Sequence, residues 1–202
     1  MTLRVAYQGE TGAFGELTIL HRWPNAAEPV PARTFEETLR HVAQNECDLA
    51  VLPIWNKTIG DIGEARAALA AQGDALEVIE ETDTPVRHAL MSVAGANLAS
   101  IKWVGSHFAA LGQCARYLQA HPQFTALQAY DTAGAARELS AFAAHEPGAW
   151  FANLGAKPEQ LAAIASAHAA ERHGLVVLED GIQDDPQNVT RFAIIRRRGE
   201  GS

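Results

Sequence analysis

Short apolar runs alternate along this chain with stretches of helical periodicity, and only a few residues join one to the next. Leu3-Arg4-Val5-Ala6-Tyr7 reads as a strand, Gln8 to Gly12 as a glycine-punctuated turn, and Ala13 to Arg22 as a helix. Thr34-Phe35-Glu36-Glu37 has the spacing of a capping box and opens a helix with Phe35, Leu39 and Val42 on one face. Asp48 to Pro53 predicts a short buried strand stopped by its proline, and Ile54 to Gly60 a polar loop. A helix over Glu64 to Ala71 and a strand over Leu76 to Glu80 complete the set. Strand-helix-strand units with loops this short fold as a parallel sheet with helices on its faces.

The pattern then repeats without any sequence repeat. Glu81 to Pro85 is a natural crossing point, because small polar residues and a proline interrupt two strand-like stretches. Val86 to Val93 and Ile101 to Val104 read as strands, and Phe108 to Ala120 as a helix. Asp131-Thr132 caps a helix from Ala133 to about Ala144. Ala149 to Leu154 predicts a short strand, Lys157-Pro158 a helix start, and Ala162 to Ala165 a buried strand. Ser166 to His173 is a helix ended by Gly174, Leu175 to Leu178 a strand, and a final strand ends in Ala193-Ile194-Ile195. The expected architecture is two α/β lobes, residues 1–80 with 178–202 and residues 81–177.

Charge and composition exclude several classes. With 202 residues and a net charge of −8, the chain suits one large domain or two small lobes and disfavours nucleic acid as a partner. The basic run Arg196-Arg197-Arg198 reads as a solvated end. Cys47 and Cys114 are too few and too distant for a metal site or disulfide framework, which favours reduced thiols and a cytoplasmic location. The start shows no signal-peptide pattern, and no apolar run approaches the roughly 20 residues that span a bilayer. His168 and His173 miss the spacing of a shared metal face, so no metal is expected. Ser106-His107 lacks a nucleophile elbow, and a serine capping the next helix explains it better than a hydrolase does.

Polar groups recur where strands end: Gly12, Asn56, Ser106-His107 and Asp131-Thr132. In open α/β sheets ligands gather beyond the carboxyl ends of the strands. The stretch Asn188-Val189-Thr190-Arg191-Phe192 places a hydroxyl and a guanidinium where a polar turn becomes a strand. The residues alone lead to a two-lobed α/β protein with a polar cleft for a small anion. An enzyme and a ligand-binding module both remain open at that point.

Taken in order, these segments resemble the catalytic domain of prephenate dehydratase. The resemblance is carried by Val5-Ala6-Tyr7-Gln8-Gly9-Glu10 with Gly12-Ala13-Phe14, Leu52-Pro53-Ile54 with Asn56, and Thr84-Pro85-Val86-Arg87-His88. It continues through Ser106-His107, Gln113-Cys114, Asp131-Thr132-Ala133, Ala163 to Ser166, Ile182-Gln183-Asp184, and Asn188 with Thr190-Arg191-Phe192. The resemblance implies a two-lobed fold similar to type II periplasmic binding proteins, each lobe a mostly parallel sheet flanked by helices, with the active site in the cleft. It implies conversion of prephenate to phenylpyruvate with loss of water and carbon dioxide, in phenylalanine biosynthesis. No cofactor is expected, because aromatisation drives the reaction. The implied catalytic residues are Thr190, Asn56, Ser106 and Gln113, with Thr190 donating to the leaving ring hydroxyl. Arg191, Phe192, Gly12, Ala13, Phe14, Lys57, His107 and Thr132 are expected at the dicarboxylate substrate, and a homo-oligomer of two or more copies is implied.

Departures from the family pattern are specific. Gly15 stands where the family has Ser, Trp55 and Lys57 where Glu and Ser flank the Asn, and Phe108-Ala109 where Pro-Gln follows Ser-His. Trp150 to Leu161 reads as an insertion. These changes admit a prephenate relative from specialised metabolism as substrate, and the binding-protein-like fold admits a non-catalytic small-anion binding protein. Retention of Thr190-Arg191-Phe192 favours a dehydratase over a non-aromatising decarboxylase. The chain ends soon after that motif, so neither a regulatory domain nor phenylalanine feedback is expected.

Overall fold

The computed structural model describes residues 2–146 and 150–199. The first half contains β1 (Leu3–Gln8), α1 (Phe14–Arg22), β2 (Ala27–Ala32), α2 (Phe35–Ala43), β3 (Leu49–Asn56), β4 (Gly60–Asp61), α3 (Gly63–Ala70) and β5 (Leu76–Pro85). There follow β6 (Ala89–Ser92), β7 (Trp103–His107), α4 (Phe108–Gln113), α5 (Ala115–Ala120), β8 (Thr125–Ala129) and α6 (Thr132–Ala143). The last elements are β9 (Leu161–Ala165), α7 (Ala167–His173), β10 (Val176–Asp180) and β11 (Val189–Arg197). Two compact α/β units result, one of Met1–Glu10, Phe14–Val86 and Gln187–Ser202, the other of Thr11–Ala13 and Arg87–Pro186.

In the first unit the sheet order is β2-β1-β3-β11-β5, with β4 paired to β3. β1 runs parallel to β2 and β3, while β11 lies antiparallel between β3 and β5. Val5, Ala6 and Tyr7 are buried in succession, so both faces of β1 are covered, as a parallel strand between helices requires. Leu39, Val42, Ala50, Leu52 and Ile195 form the heart of this core. The cap of α2 forms as its spacing predicts: the Thr34 hydroxyl accepts from the Glu37 N–H at 3.1 Å. The Glu37 carboxylate reaches back to the N–H of Arg33, one residue earlier than in the standard box.

One strand of this unit carries no expectation from the sequence, and two expectations change. Ala27–Ala32 is a strand despite Pro29 and Pro31, which an edge position tolerates because one side of the strand needs no N–H donors. Pro53 does not stop β3, which runs on to Asn56; Pro53 faces Phe192, where the register with β11 shifts and absorbs the missing donor. β5 continues through Glu81–Pro85 because β11 pairs with it along its length. The change of unit therefore falls after Val86, not after residue 80, and the return falls at Gln187, not at residue 178.

The second unit's sheet has the order β10-β6-β9-β7-β8, with β7 parallel to β8 and β9 and β6 antiparallel to β9 and β10. Its core joins Met91, Leu139, Phe151, Leu161, Ala163 and Ala169. Ser106 and His107 belong to β7 itself, paired with Gln128 and Ala129. The single helix expected over Phe108 to Ala120 breaks at Cys114. There the Asp184 N–H donates to the Gln113 carbonyl at 2.7 Å, and the Asp184 carboxylate accepts from the Arg116 N–H at 3.1 Å. Only Ala89–Ser92 of the stretch Val86 to Val93 joins the sheet.

The expected strand over Ala149 to Leu154 is a 3-10 turn over Trp150–Leu154, and Ala149 lies outside the described residues. The start at Lys157-Pro158 yields only a 3-10 turn, Pro158–Gln160. Phe151 is fully buried, and a Cβ on Gly105 would come within 2.9 Å of both the Phe151 and Trp150 rings. The apparent insertion thus packs directly on β7, beside Ser106. Phe151 and Leu161 anchor it in the core, while the rest of the segment stays at or near the surface.

Candidate active site

The motif that ends the chain's last strand is assembled by strand pairing within the first unit. Thr190 of β11 faces Asn56 of β3 on one side and Thr84 of β5 on the other. Asn56, Thr84 and Thr190 are all buried, as is Asn188 just before β11. The Asn56 side-chain oxygen accepts the N–H groups of Thr58 at 2.9 Å and Ile59 at 3.2 Å. That assignment turns Nδ2 of Asn56 the other way, towards the Asn188 Oδ1 at 3.0 Å, the Val189 carbonyl at 3.1 Å and the Thr190 Oγ1 at 2.9 Å. Thr190 therefore accepts from Asn56, and its own proton is donated to no group among the described residues. Thr84 is occupied elsewhere. The Thr18 hydroxyl donates to the Phe14 carbonyl at 2.7 Å, so the 2.8 Å contact between Thr84 and Thr18 has Thr84 as donor.

Alternation along β11 separates the expected residues. Phe192 shares the buried side with Thr190, whereas Arg191 between them is half exposed. The Arg191 guanidinium grips the Asp83 carboxylate at 2.8 and 3.1 Å, and lies over the Trp55 ring at 5.7 Å. This bond holds the Asp83 carboxyl below its usual range. Asp83 and Trp55 are the cross-strand neighbours of Arg191, so sheet register builds this clamp. The Lys57 ammonium is 3.4 Å from the Gln187 side-chain oxygen, and the Lys57 N–H donates to the Val189 carbonyl at 2.9 Å.

Ser106, His107, Gln113, Thr132, Gly12 and Ala13 belong to the second unit. Ser106 is fully buried and donates to the Ile164 carbonyl at 2.7 Å, leaving its oxygen lone pairs as acceptors. His107 lies against Phe108 with ring centroids 4.3 Å apart. Burial lowers the His107 pKa, and nearby Asp131 opposes the shift. Gln113 ends α4, with its Oε1 2.7 Å from Nε2 of the buried His88. Because an amide oxygen only accepts, the network assigns the histidine proton to Nε2. Burial lowers the His88 pKa, which keeps that ring neutral. Thr132 opens α6 behind the Asp131 cap, whose carboxylate accepts from the Gly134 N–H at 2.7 Å.

Gly12 sits at φ +94, a conformation that favours glycine, and its carbonyl accepts from the Ser166 hydroxyl at 2.8 Å. Phe14 begins α1 in the first unit. Gly15 packs on the Tyr7 ring, where an added Cβ would meet the tyrosine at 3.1 Å. The sequence match includes His88 and Asn188 but gives neither a role. The signal for both is hydrogen-bond geometry, which a sequence does not display.

The model of the family described as prephenate dehydratase matches residues 5–200. The chain belongs to the prephenate dehydratase family. Among curated relatives, arogenate dehydratase 5, chloroplastic, of Arabidopsis thaliana is 37% identical over 197 residues, covering 97% of this chain and 42% of the relative. The chain thus spans less than half of that relative's length. The prephenate dehydratase of Arthrobacter aurescens, solved in complex with L-Phe, is 29% identical with a TM-score of 0.78, covering 98% of this chain and 61% of that one. GqqA, described as a novel type of quorum quenching acylase, has a TM-score of 0.82 at 27% identity, covering 98% of this chain and 65% of its own. Family membership gives the order of motifs a common origin, and the Asn56–Thr190 pair lies in two of them. No helix among the described residues is long and apolar enough to cross a membrane.

Proposed function

We propose that this chain catalyses the decarboxylating dehydration of prephenate to phenylpyruvate. The observation that carries the reading is the direction of the Asn56–Thr190 hydrogen bond, because it leaves the Thr190 proton for a ligand oxygen. In the reaction the bond from the ring to its carboxylate breaks and carbon dioxide leaves. That electron pair completes the aromatic ring, and the ring hydroxyl departs with one added proton as water. Thr190 donates to the departing oxygen, and the Asn56 amide stabilises the negative charge that gathers on Oγ1 as it does so. Ser106 and Gln113 contact the substrate, with His88 holding the Gln113 amide. Backbone N–H groups around Gly12 to Phe14 and the Lys57 ammonium receive carboxylates. Arg191, already paired with Asp83, fixes the strand that carries Thr190.

Arogenate, the amino-acid counterpart named for the Arabidopsis relative, is the second substrate to test. Purified protein is incubated with each compound at neutral pH, and phenylpyruvate or phenylalanine is measured. Turnover of prephenate that is lost in Thr190→Ala supports the reading. Folded protein inert on both compounds sinks it. The same reading carries a cytoplasmic, reducing location, supported by the buried free thiols of Cys47 and Cys114. It also carries a homo-oligomer, for which the exposed Val78 and Ile79 on edge strand β5 offer apolar surface; light scattering tests that state.

A further inference from the structure

Asn188 is 2% exposed, and its orientation is forced by its neighbours. Two backbone N–H groups hold the Asn56 oxygen, so the Asn56 NH2 must face Asn188. Only the Asn188 Oδ1 can meet it, since the flipped amide would set two NH2 groups face to face at the 3.0 Å recorded for this contact. The backbone allows no escape by sliding. The Asn188 carbonyl accepts from the Val86 N–H at 2.9 Å, and the Val189 carbonyl accepts from the Lys57 N–H at 2.9 Å.

The consequence is that Nδ2 of Asn188 is buried and meets no acceptor among the described residues. Burying a donor without a partner costs more than a typical hydrogen bond returns, so native chains keep such groups rarely. Asn188's structural task, accepting from Asn56, needs only the side-chain oxygen. A buried donor without a protein acceptor is where a ligand oxygen or an ordered water belongs. Asn188 and Thr190 are held by the same Nδ2 of Asn56, and both keep donor hydrogens that meet no acceptor among the described residues.

We propose that Asn188 is a further substrate-binding residue, whose side-chain NH2 donates to an oxygen of the bound acid beside the one served by Thr190. The inference rests on the dehydratase reading for its choice of acid, and on the hydrogen-bond geometry alone for the donor. An amide has no proton to transfer, so Asn188 binds and orients while Thr190 supplies the donor that follows the leaving oxygen.

The test is Asn188→Asp, which keeps the acceptor for Asn56 and replaces the NH2 by oxygen. Its kcat/KM is expected to fall about 10- to 100-fold, the worth of one hydrogen bond to a charged group, measured below a melting temperature that the buried carboxylate lowers. A loss carried by KM assigns the NH2 to a carboxylate, and a loss carried by kcat assigns it to the departing hydroxyl. The second readout needs no turnover. The side-chain 15N–1H cross-peaks of Asn188, identified by selective labelling and by their loss in Asn188→Ser, are expected to move downfield as prephenate, which keeps its ring hydroxyl and both carboxylates, is titrated into the Thr190→Ala protein. Wild type that shifts these peaks yet turns over neither prephenate nor arogenate removes the dehydratase reading and keeps Asn188 as a ligand donor. Peaks that stay still at saturating prephenate, or Asn188→Asp within about threefold of wild type on prephenate, overturn the inference.

Discussion

The amide of Asn56 donates to the hydroxyl of Thr190 across 2.9 Å, and two backbone N–H groups on the Asn56 oxygen prevent the reverse arrangement. Thr190→Ala removes the hydroxyl so presented and is expected to lower kcat about 10²- to 10⁴-fold, the usual contribution of a positioned proton donor. Thr190→Ser restores the hydroxyl and is expected to retain most of the rate. Initial rates of phenylpyruvate formation decide it; a Thr190→Ala enzyme as fast as wild type would show that the leaving oxygen takes its proton elsewhere.

Asn56→Asp keeps the shape and inverts the bond. A carboxylate at this position accepts the Thr190 proton instead of donating to Oγ1, so the donor turns inward and turnover is expected to collapse although Thr190 is intact. Asn56→Ala also strands the N–H groups of Thr58 and Ile59 and leaves Asn188 without its donor. Its cost to stability is expected to be about 2–4 kcal/mol, measured by urea unfolding. An Asn56→Asp variant that keeps full activity contradicts the assigned polarity.

Much of this was legible in the sequence because it depends on local pattern. The Thr34 cap, the Asp131 cap and the left-handed Gly174 at the end of α7 are written in residue type and spacing, and each forms. What was not legible depends on partners distant in the chain. β2 was hidden by Pro29 and Pro31, which only its edge position excuses. The length of β5 is set by β11, more than a hundred residues later, and the break at Cys114 by Asp184. In the site, the family resemblance marked Thr190 and Asn56, yet the direction of their bond and the stranded amide of Asn188 follow only from the folded network.

Arg191 offers a contrast within the same motif. Its guanidinium is held by Asp83 and Trp55, both cross-strand neighbours, on the side of β11 away from Thr190. Asp83→Asn removes the charge partner and is expected to change KM by less than about threefold, since exposed ion pairs contribute little and Arg191 is proposed to hold the strand and not the substrate. Steady-state kinetics on prephenate check it. A KM raised tenfold or more in Arg191→Gln but not in Asp83→Asn would return Arg191 to the substrate.

His88 makes stability depend on pH with a definite sign. Burial lowers its pKa in the folded protein, and the bond to Gln113 offsets only part of that. The unfolded chain, with an ordinary histidine pKa of about 6.5, takes up the proton first as pH falls. The contribution of His88 is therefore complete above about pH 6.5 and is lost as pH falls towards the folded value. His107, also lowered by burial, adds to the same trend. Urea midpoints from about pH 7.5 to 5.5 are expected to fall in wild type and to fall less steeply in His88→Gln. Equal slopes would mean that the histidine is not held neutral.

Gly12 tests whether the first glycine turn is a backbone requirement. Its φ of +94 already disfavours any side chain, and a Cβ would stand 2.6 Å from the Ala169 Cα and 2.8 Å from its Cβ. Ala169 lies in the first turn of α7, capped by the Ser166 hydroxyl that also donates to the Gly12 carbonyl, so neither backbone has room to retreat. Strain at the dihedral and overpacking against the helix each cost about 1–3 kcal/mol. Gly12→Ala is therefore expected to melt well below wild type and to lose soluble yield, whereas Gly95→Ala, also at positive φ but with nothing within 4 Å, carries the dihedral strain alone. Equal melting temperatures for the two variants would show that α7 yields, and that the Gly12 turn is held by φ and not by the close approach of Ala169.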